Sequence, residues 1–456
     1  MNESASQAFE NDHLSLEPFS QRLEEFLMIE HGFTDGSLVI SLNAPFGSGK
    51  STFLSMWAGD MKTRRQQDAA VPVVLMLNAW ESDYCGDPLL AIITGLIQAA
   101  KEKGLNSNSD EGKRIREAAK DAAWFTLGLA NNLVSRITGI DPLAAGDVAE
   151  KKKAARKEPP PDFVSLYEKR SVSLKKLKDT LRAIFGSERP QAFVFVDELD
   201  RCRPDYAISY LETIKHVFDI HGLVFVLAVD YDQLSCSARA LFGRDLNFEE
   251  YYRKFVQRSL SLPEPDSGAM RKLAEHYTAR FLNLAGKREN ATNLHTTLKY
   301  IVDLVVALRM TPRQIQEAFR ILGHATAKSP RLTGQMFWCA SAMATFLVCL
   351  KVAKRDLYQR IGTGKVSDLE LGQFLYALNI SNPNRWFVIY VTGRYEAEAI
   401  NVLELGRTMK DLGYLPQGNE LNPSVAFREY FDGWDYADDD RVRKTFVLIE
   451  TAATFG

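Results

Sequence analysis

Residues 37–52 read SLVISLNAPFGSGKST, and residues 193–205 read FVFVDELDRCRPD. In the first stretch an apolar run, Ser37 to Leu42, breaks into Asn43, Ala44, Pro45, Phe46, Gly47, Ser48, Gly49, Lys50, Ser51 and Thr52, and a helical pattern follows. Strand, glycine-bearing loop and helix N-terminus in that order make a phosphate cradle, because successive backbone N–H groups and the positive end of a helix converge on one anion. Against the pattern G-x-x-x-x-G-K-[ST], Gly49, Lys50 and Ser51 match, while Ala44 stands in place of the first glycine. Gly47 and Gly49 supply the backbone freedom such a loop needs. In this pattern Lys50 reaches the β- and γ-phosphates and the Ser51 hydroxyl ligates Mg2+.

The second stretch has four apolar strand residues ending in Asp197 and Glu198. An apolar strand ending in two acids is on its own more often structural than catalytic. After a phosphate loop it reads as the acidic strand of a nucleoside triphosphatase, with Asp197 holding Mg2+ and Glu198 orienting and deprotonating a water. Carboxylates at the carboxyl end of a strand fall in the crevice where α/β sheets bind ligands. Two roles stay open for Asp230, which ends the run LVFVLAV: sensing a γ-phosphate, or capping the helix that starts at Tyr231.

Outward from these motifs the chain of 456 residues divides by composition. Five strands are expected, Ser37–Leu42, Val71–Asn78, Phe193–Asp197, Leu223–Asp230 and Ser259–Leu262, alternating with helical patterns as in a parallel α/β sheet. After Pro263 helical periodicity takes over to about Leu378; the run Arg385 to Val391 has no clear placement. Residues 101–190 carry 19 lysines and arginines against 13 acids, with Lys151 to Lys157 and Pro159 to Pro161 reading as a solvated connector or, alternatively, a docking surface. Overall, 56 basic and 58 acidic residues leave a net charge of −2, with no bulk drive towards nucleic acid or anionic lipid. Five cysteines in no metal-binding spacing predict free, mostly buried thiols in a reducing compartment. The polar N-terminus lacks the features of a secretory signal. Met336 to Leu350 is apolar but about 15 residues long, too short to span a bilayer, and is expected to be a buried helix.

The order of parts resembles the KAP family of P-loop NTPases. The resemblance rests on the phosphate loop, Asn78-Ala79-Trp80, the DELDRCRPD block, Leu227 to Leu234, Tyr252 to Arg258 and Met310-Thr-Pro-Arg-Gln-Ile315. It implies an α/β P-loop NTPase with a parallel five-stranded core sheet over 1–265, carrying the basic insertion of about 100–190. A helical lid over 266–330 and a mainly helical C-terminal region over 331–456 would follow. It further implies ATP bound by Ala44 to Thr52, Mg2+ held by Ser51 and Asp197, Asp197 and Glu198 as the acidic pair, and Arg313 from the lid meeting the γ-phosphate. Arg201, Arg203 and Arg258 are alternatives, including as a finger supplied across a subunit boundary. Many members carry membrane spans between the phosphate loop and the acidic strand; that interval has none of adequate length here, so a cytoplasmic member is expected.

The function so implied is Mg-dependent ATP hydrolysis that drives a conformational or assembly switch, with bacterial defence against phage as the setting. A homo-oligomer, or a complex with separately encoded effector proteins, is the expected assembly. A nucleotide-binding scaffold with little hydrolysis and a nucleic-acid-stimulated ATPase are the competing readings.

Overall fold

The computed structural model describes residues 8–104, 113–115, 117, 163–285, 292–328, 338–395, 402–412, 428–434 and 440–454. The basic run Lys151 to Lys157 and the prolines after it lie outside these. The chain forms two compact units: one comprises Met1–Asp12, Leu16–Phe46 and Lys50–Pro263, the other His13–Ser15, Gly47–Gly49 and Glu264–Gly456.

The first unit is built on a five-stranded parallel sheet of β1 (Leu38–Asn43), β2 (Val73–Asn78), β3 (Ala192–Asp197), β4 (Leu223–Val229) and β5 (Arg258–Ser261), in the order β2-β3-β4-β1-β5. All five expected strands are present, with ends moved by one or two residues. β3 and β4 are buried at every position, which is why they lack the polar alternation of a half-exposed strand. On β3 the two faces separate by residue: Val194 and Val196 enter one apolar cluster with Leu177, Leu181 and Tyr210, while Phe193 and Phe195 pack on Trp57. Trp57 belongs to α1 (Lys50–Gln67), the helix that leaves the phosphate loop, and it is fully buried beside Phe53. The aromatic contact therefore fixes that helix to one face of the sheet. The register pairs Asn78 with Asp197 and Asn43 with Val229, so the functional ends of β1, β2, β3 and β4 lie along one edge.

The described residues of the second unit are mainly helical and share one apolar core. Residues from Ser267–Ala285, Thr292–Ala307 and Pro312–Lys328 share it with Trp338–Ala353, Pro383–Arg394 and Arg441–Thr454. Of the apolar run Met336 to Leu350, the part from Trp338 is a helix, buried from Cys339 to Leu350 apart from the half-buried Ala340, and Met336 and Phe337 lie outside the described residues. Among the described residues no helix is long and apolar enough to cross a membrane. The unplaced run Arg385 to Val391 is helical: Trp386 stacks on Phe346 with ring centroids 5.4 Å apart, and tertiary packing settles what the short apolar sequence left ambiguous. Cys202, Cys339 and Cys349 are buried free thiols, and Cys236 is exposed.

One buried imidazole links the helix Glu17–His31 to the sheet. His31 Nε2 accepts the Gly222 N–H at 3.0 Å, and its ring stacks on His221 at 4.2 Å. Burial first, and then the neighbouring His221, lower its pKa from 6.5 to about 4, against a smaller opposing pull from Glu188. Between pH 4 and 6.5 the unfolded chain binds the proton and the folded one does not. Stability conferred by neutral His31 is thus full above 6.5 and falls as the pH drops towards 4, by at most about tenfold in the folding equilibrium per pH unit. His31→Gln, which keeps an acceptor for Gly222, should give a flatter dependence of the urea midpoint over that interval; an unaltered slope would remove His31 as its source.

Candidate active site

The phosphate loop needs its two glycines: Gly47 and Gly49 have φ of 82° and 104°, where an L side chain is strained. Ala44 has no positive φ; it is buried and its N–H donates to Val229 O at 3.2 Å. The position filled by glycine in the usual pattern therefore tolerates a Cβ here. Pro45, Phe46, Ser51 and Thr52 are exposed, and Ser48 is half-buried with an Oγ that has no hydrogen-bond partner among the described residues.

Lys50, 8% exposed, donates to Ala44 O and lies 3.8 Å from Asp200 Oδ2. Burial lowers its pKa; Asp200, Asp230 and Asp197, in that order, oppose this. The carboxylates are themselves tied together. Asp200 Oδ2 accepts the Asp230 N–H at 2.8 Å, and Asp230 accepts the Phe46 N–H at 3.1 Å through Oδ2 and the Gln233 N–H at 3.3 Å through Oδ1. Asp230 thus caps the helix Tyr231–Phe242 and also holds a loop amide. Asp200, which the sequence offers as the next candidate base after Glu198 and not as a partner of Lys50, is the nearest anion to the loop lysine; its place three residues after Asp197 carries no periodic signal.

Asp197 ends β3 with its Oδ1 accepting the N–H of Glu198 at 2.9 Å. Glu198 is in the left-handed region, φ 60° and ψ 24°, a conformation that costs a non-glycine residue about 1–2 kcal/mol. Its Oε2 accepts from Asn78 Nδ2 at 3.1 Å and its Oε1 pairs with Arg201 at 3.0 Å. Asn78 Oδ1 accepts the Glu81 N–H at 3.1 Å as the cap of the helix Ala79–Asp83. The cap orients the amide, leaving its NH2 group for Glu198. Asn78 is a site residue that the sequence shows only as part of a family block.

The remaining arginines are placed differently. Arg203 makes three hydrogen bonds to Asp83, and Arg258 on β5 pairs with Glu30 at 2.8 Å. Arg313 is the second residue of Pro312–Lys328; its backbone N–H donates to Gly47 O at 3.4 Å, both residues belonging to the second unit.

A model of the KAP family P-loop domain matches residues 17–328, more than two thirds of the chain. The chain belongs to the KAP family. This KAP protein is also similar to solved structures. One is an ORC2 protein of Aeropyrum pernix in ADPNP–ADP complexes, 12% identical over 99% of this chain and 96% of that one, with a TM-score of 0.32. Another is PCH-2 of C. elegans, 13% identical over 76% and 69%, TM-score 0.29. A third is the Aeropyrum pernix ORC1 protein in complex with DNA, 12% identical over 88% and 84%, TM-score 0.28. No curated protein matches it.

The donor set can hold a magnesium nucleotide. A carboxylate on a strand end and exposed hydroxyls at a helix start suit Mg2+, which keeps water and substrate phosphates in its shell and needs few protein ligands. The backbone strain at Glu198 is separable from its carboxylate. Glu198→Gly and Glu198→Ala lose the same bonds, yet only glycine is at ease at this φ, so the glycine variant should be more stable by about 1 kcal/mol in chemical unfolding. Equal stability would mean that the turn relaxes when the side chain is removed.

Proposed function

We propose that this KAP protein binds Mg-ATP through Ala44 to Thr52 and hydrolyses it at the carboxyl edge of the sheet. The observation that carries the reading is the buried Lys50 ammonium next to Asp200, at the edge where Asp197 ends β3 and Glu198 follows it. In this reading the loop amides and Lys50 bind the β- and γ-phosphates, with Lys50 exchanging Asp200 for phosphate oxygens. Ser51 and Asp197 would hold Mg2+, which when bound would supply charge neutralisation for phosphoryl transfer. Glu198 orients the attacking water and takes its proton, and Arg313 answers to the γ-phosphate. Phosphoryl transfer to water is mainly a matter of position and charge, so these groups are sufficient in kind.

The output of hydrolysis is a conformational or assembly switch, in a homo-oligomer or with separately encoded effectors, inside the cytoplasm. Defence against phage is the setting that the family resemblance favours.

Lys50→Ala should lower Mg-ATP affinity strongly in calorimetry, and an unchanged affinity would sink the assignment of the loop. Glu198→Gln should keep ATP bound and slow single-turnover hydrolysis by about 10²–10⁴. For Arg313→Ala the expected result is slowed hydrolysis with binding kept; a normal rate removes it from the site.

A further inference from the structure

We propose that Arg201 is a positioning residue for Glu198, held in its pose by an aromatic bracket of Phe46 and Trp80. The proposal rests on the hydrolytic reading above.

Arg201 ends the short turn Leu199–Arg201 that follows Glu198 directly. Its guanidinium lies 4.8 Å from the Phe46 ring centroid and 5.8 Å from that of Trp80, while Nη2 meets Glu198 Oε1 at 3.0 Å. A planar guanidinium can offer its faces to two rings and its edge to a carboxylate at once; an ammonium cannot. Phe46 and Trp80 are 48% and 52% exposed, so their rings contribute little to the core. Both rings lie against the cation that holds the glutamate.

The bracket is anchored at both ends. Phe46 is fixed through its N–H to Asp230, and Trp80 stands on the short helix capped by Asn78. Asn78 also holds the second oxygen of Glu198. The carboxylate is therefore gripped from two sides and its plane is set, although glutamate has three side-chain torsions to lose. Arg203, two residues on, is bound to Asp83, so of these two arginines only Arg201 faces the glutamate in the described contacts. A reacting group displaced by about 1 Å can cost about 10²-fold in rate, and holding Glu198 is worth that order.

The test is single-turnover hydrolysis and ATP calorimetry on Arg201→Ala, Arg201→Lys and Trp80→Leu, with Arg201→Ala repeated in a Glu198→Gln background. Arg201→Ala should slow hydrolysis about 10- to 100-fold with ATP affinity within about twofold, Trp80→Leu should slow it less, and Arg201→Lys should recover only part. With Glu198→Gln already present, Arg201→Ala should cost less than about threefold, since it acts through the missing carboxylate. An equal loss in both backgrounds would place the guanidinium on the phosphate instead, and an unchanged or faster rate would show that Glu198 needs no such hold; either overturns the proposal. Absence of hydrolysis in the unaltered protein would defeat the functional reading itself. The bracket then still has its own readout: Trp80 emission, taken as the difference from Trp80→Phe, should change in Arg201→Ala and in Glu198→Gln. Identical emission in both would refute it.

Discussion

A lysine ammonium with almost no access to water is stable in this protein because three carboxylates from two chain segments are arranged around it. Lys50 has the carbonyl of Ala44 as its hydrogen-bond acceptor and Asp200 as its nearest anion, with Asp230 and Asp197 adding to the favourable field. Burial of such a charge without compensation would cost several kcal/mol. The compensation works only if β1, β3 and β4 are adjacent and in register. That adjacency depends on the fully buried runs of β3 and β4. Core packing and site electrostatics are thus one constraint. The same carboxylates organise the backbone: Asp200 takes the amide of Asp230, and Asp230 takes the amide of Phe46, so loop and strand ends form one hydrogen-bonded chain.

Glu198 shows the opposite kind of economy. Its backbone lies in the left-handed region, and its carboxylate is engaged on both oxygens. Strain of this kind persists where the surroundings over-determine a conformation, and it concentrates at sites that do chemistry. Here the over-determination comes from Asn78, from Arg201 and from the acceptance of the Glu198 N–H by Asp197. Asp200, by contrast, is tied to Lys50 and Asp230, which separates two acids only two residues apart into different tasks.

The family match ends at residue 328, and the described helices from Trp338 onwards lie beyond it. They are not an independent appendage in packing terms. Leu304, Val305 and Leu322 share one core with Phe346, Trp386 and Ile449. A change in any of these helices is felt by the others, because close-packed interiors transmit displacement and do not absorb it.

The amino-acid sequence alone determined the class of the fold, the five strands in their order along the chain, and the loop from Ala44 to Thr52. These signals are local: strand runs, glycine placement and a helix start are written within a dozen consecutive residues. It also carried the family, through blocks such as DELDRCRPD. The run Arg385 to Val391 stayed ambiguous, since a short apolar stretch fits a strand or a buried helix equally until its neighbours are known. The tertiary structure alone decided which charges meet. Asn78 and Glu198 are 120 residues apart in sequence, as are Asp83 and Arg203, and Phe46 and Asp230 are 184 apart. No periodicity specifies such pairs. They exist because strand order and register bring distant chain segments to one edge of the sheet.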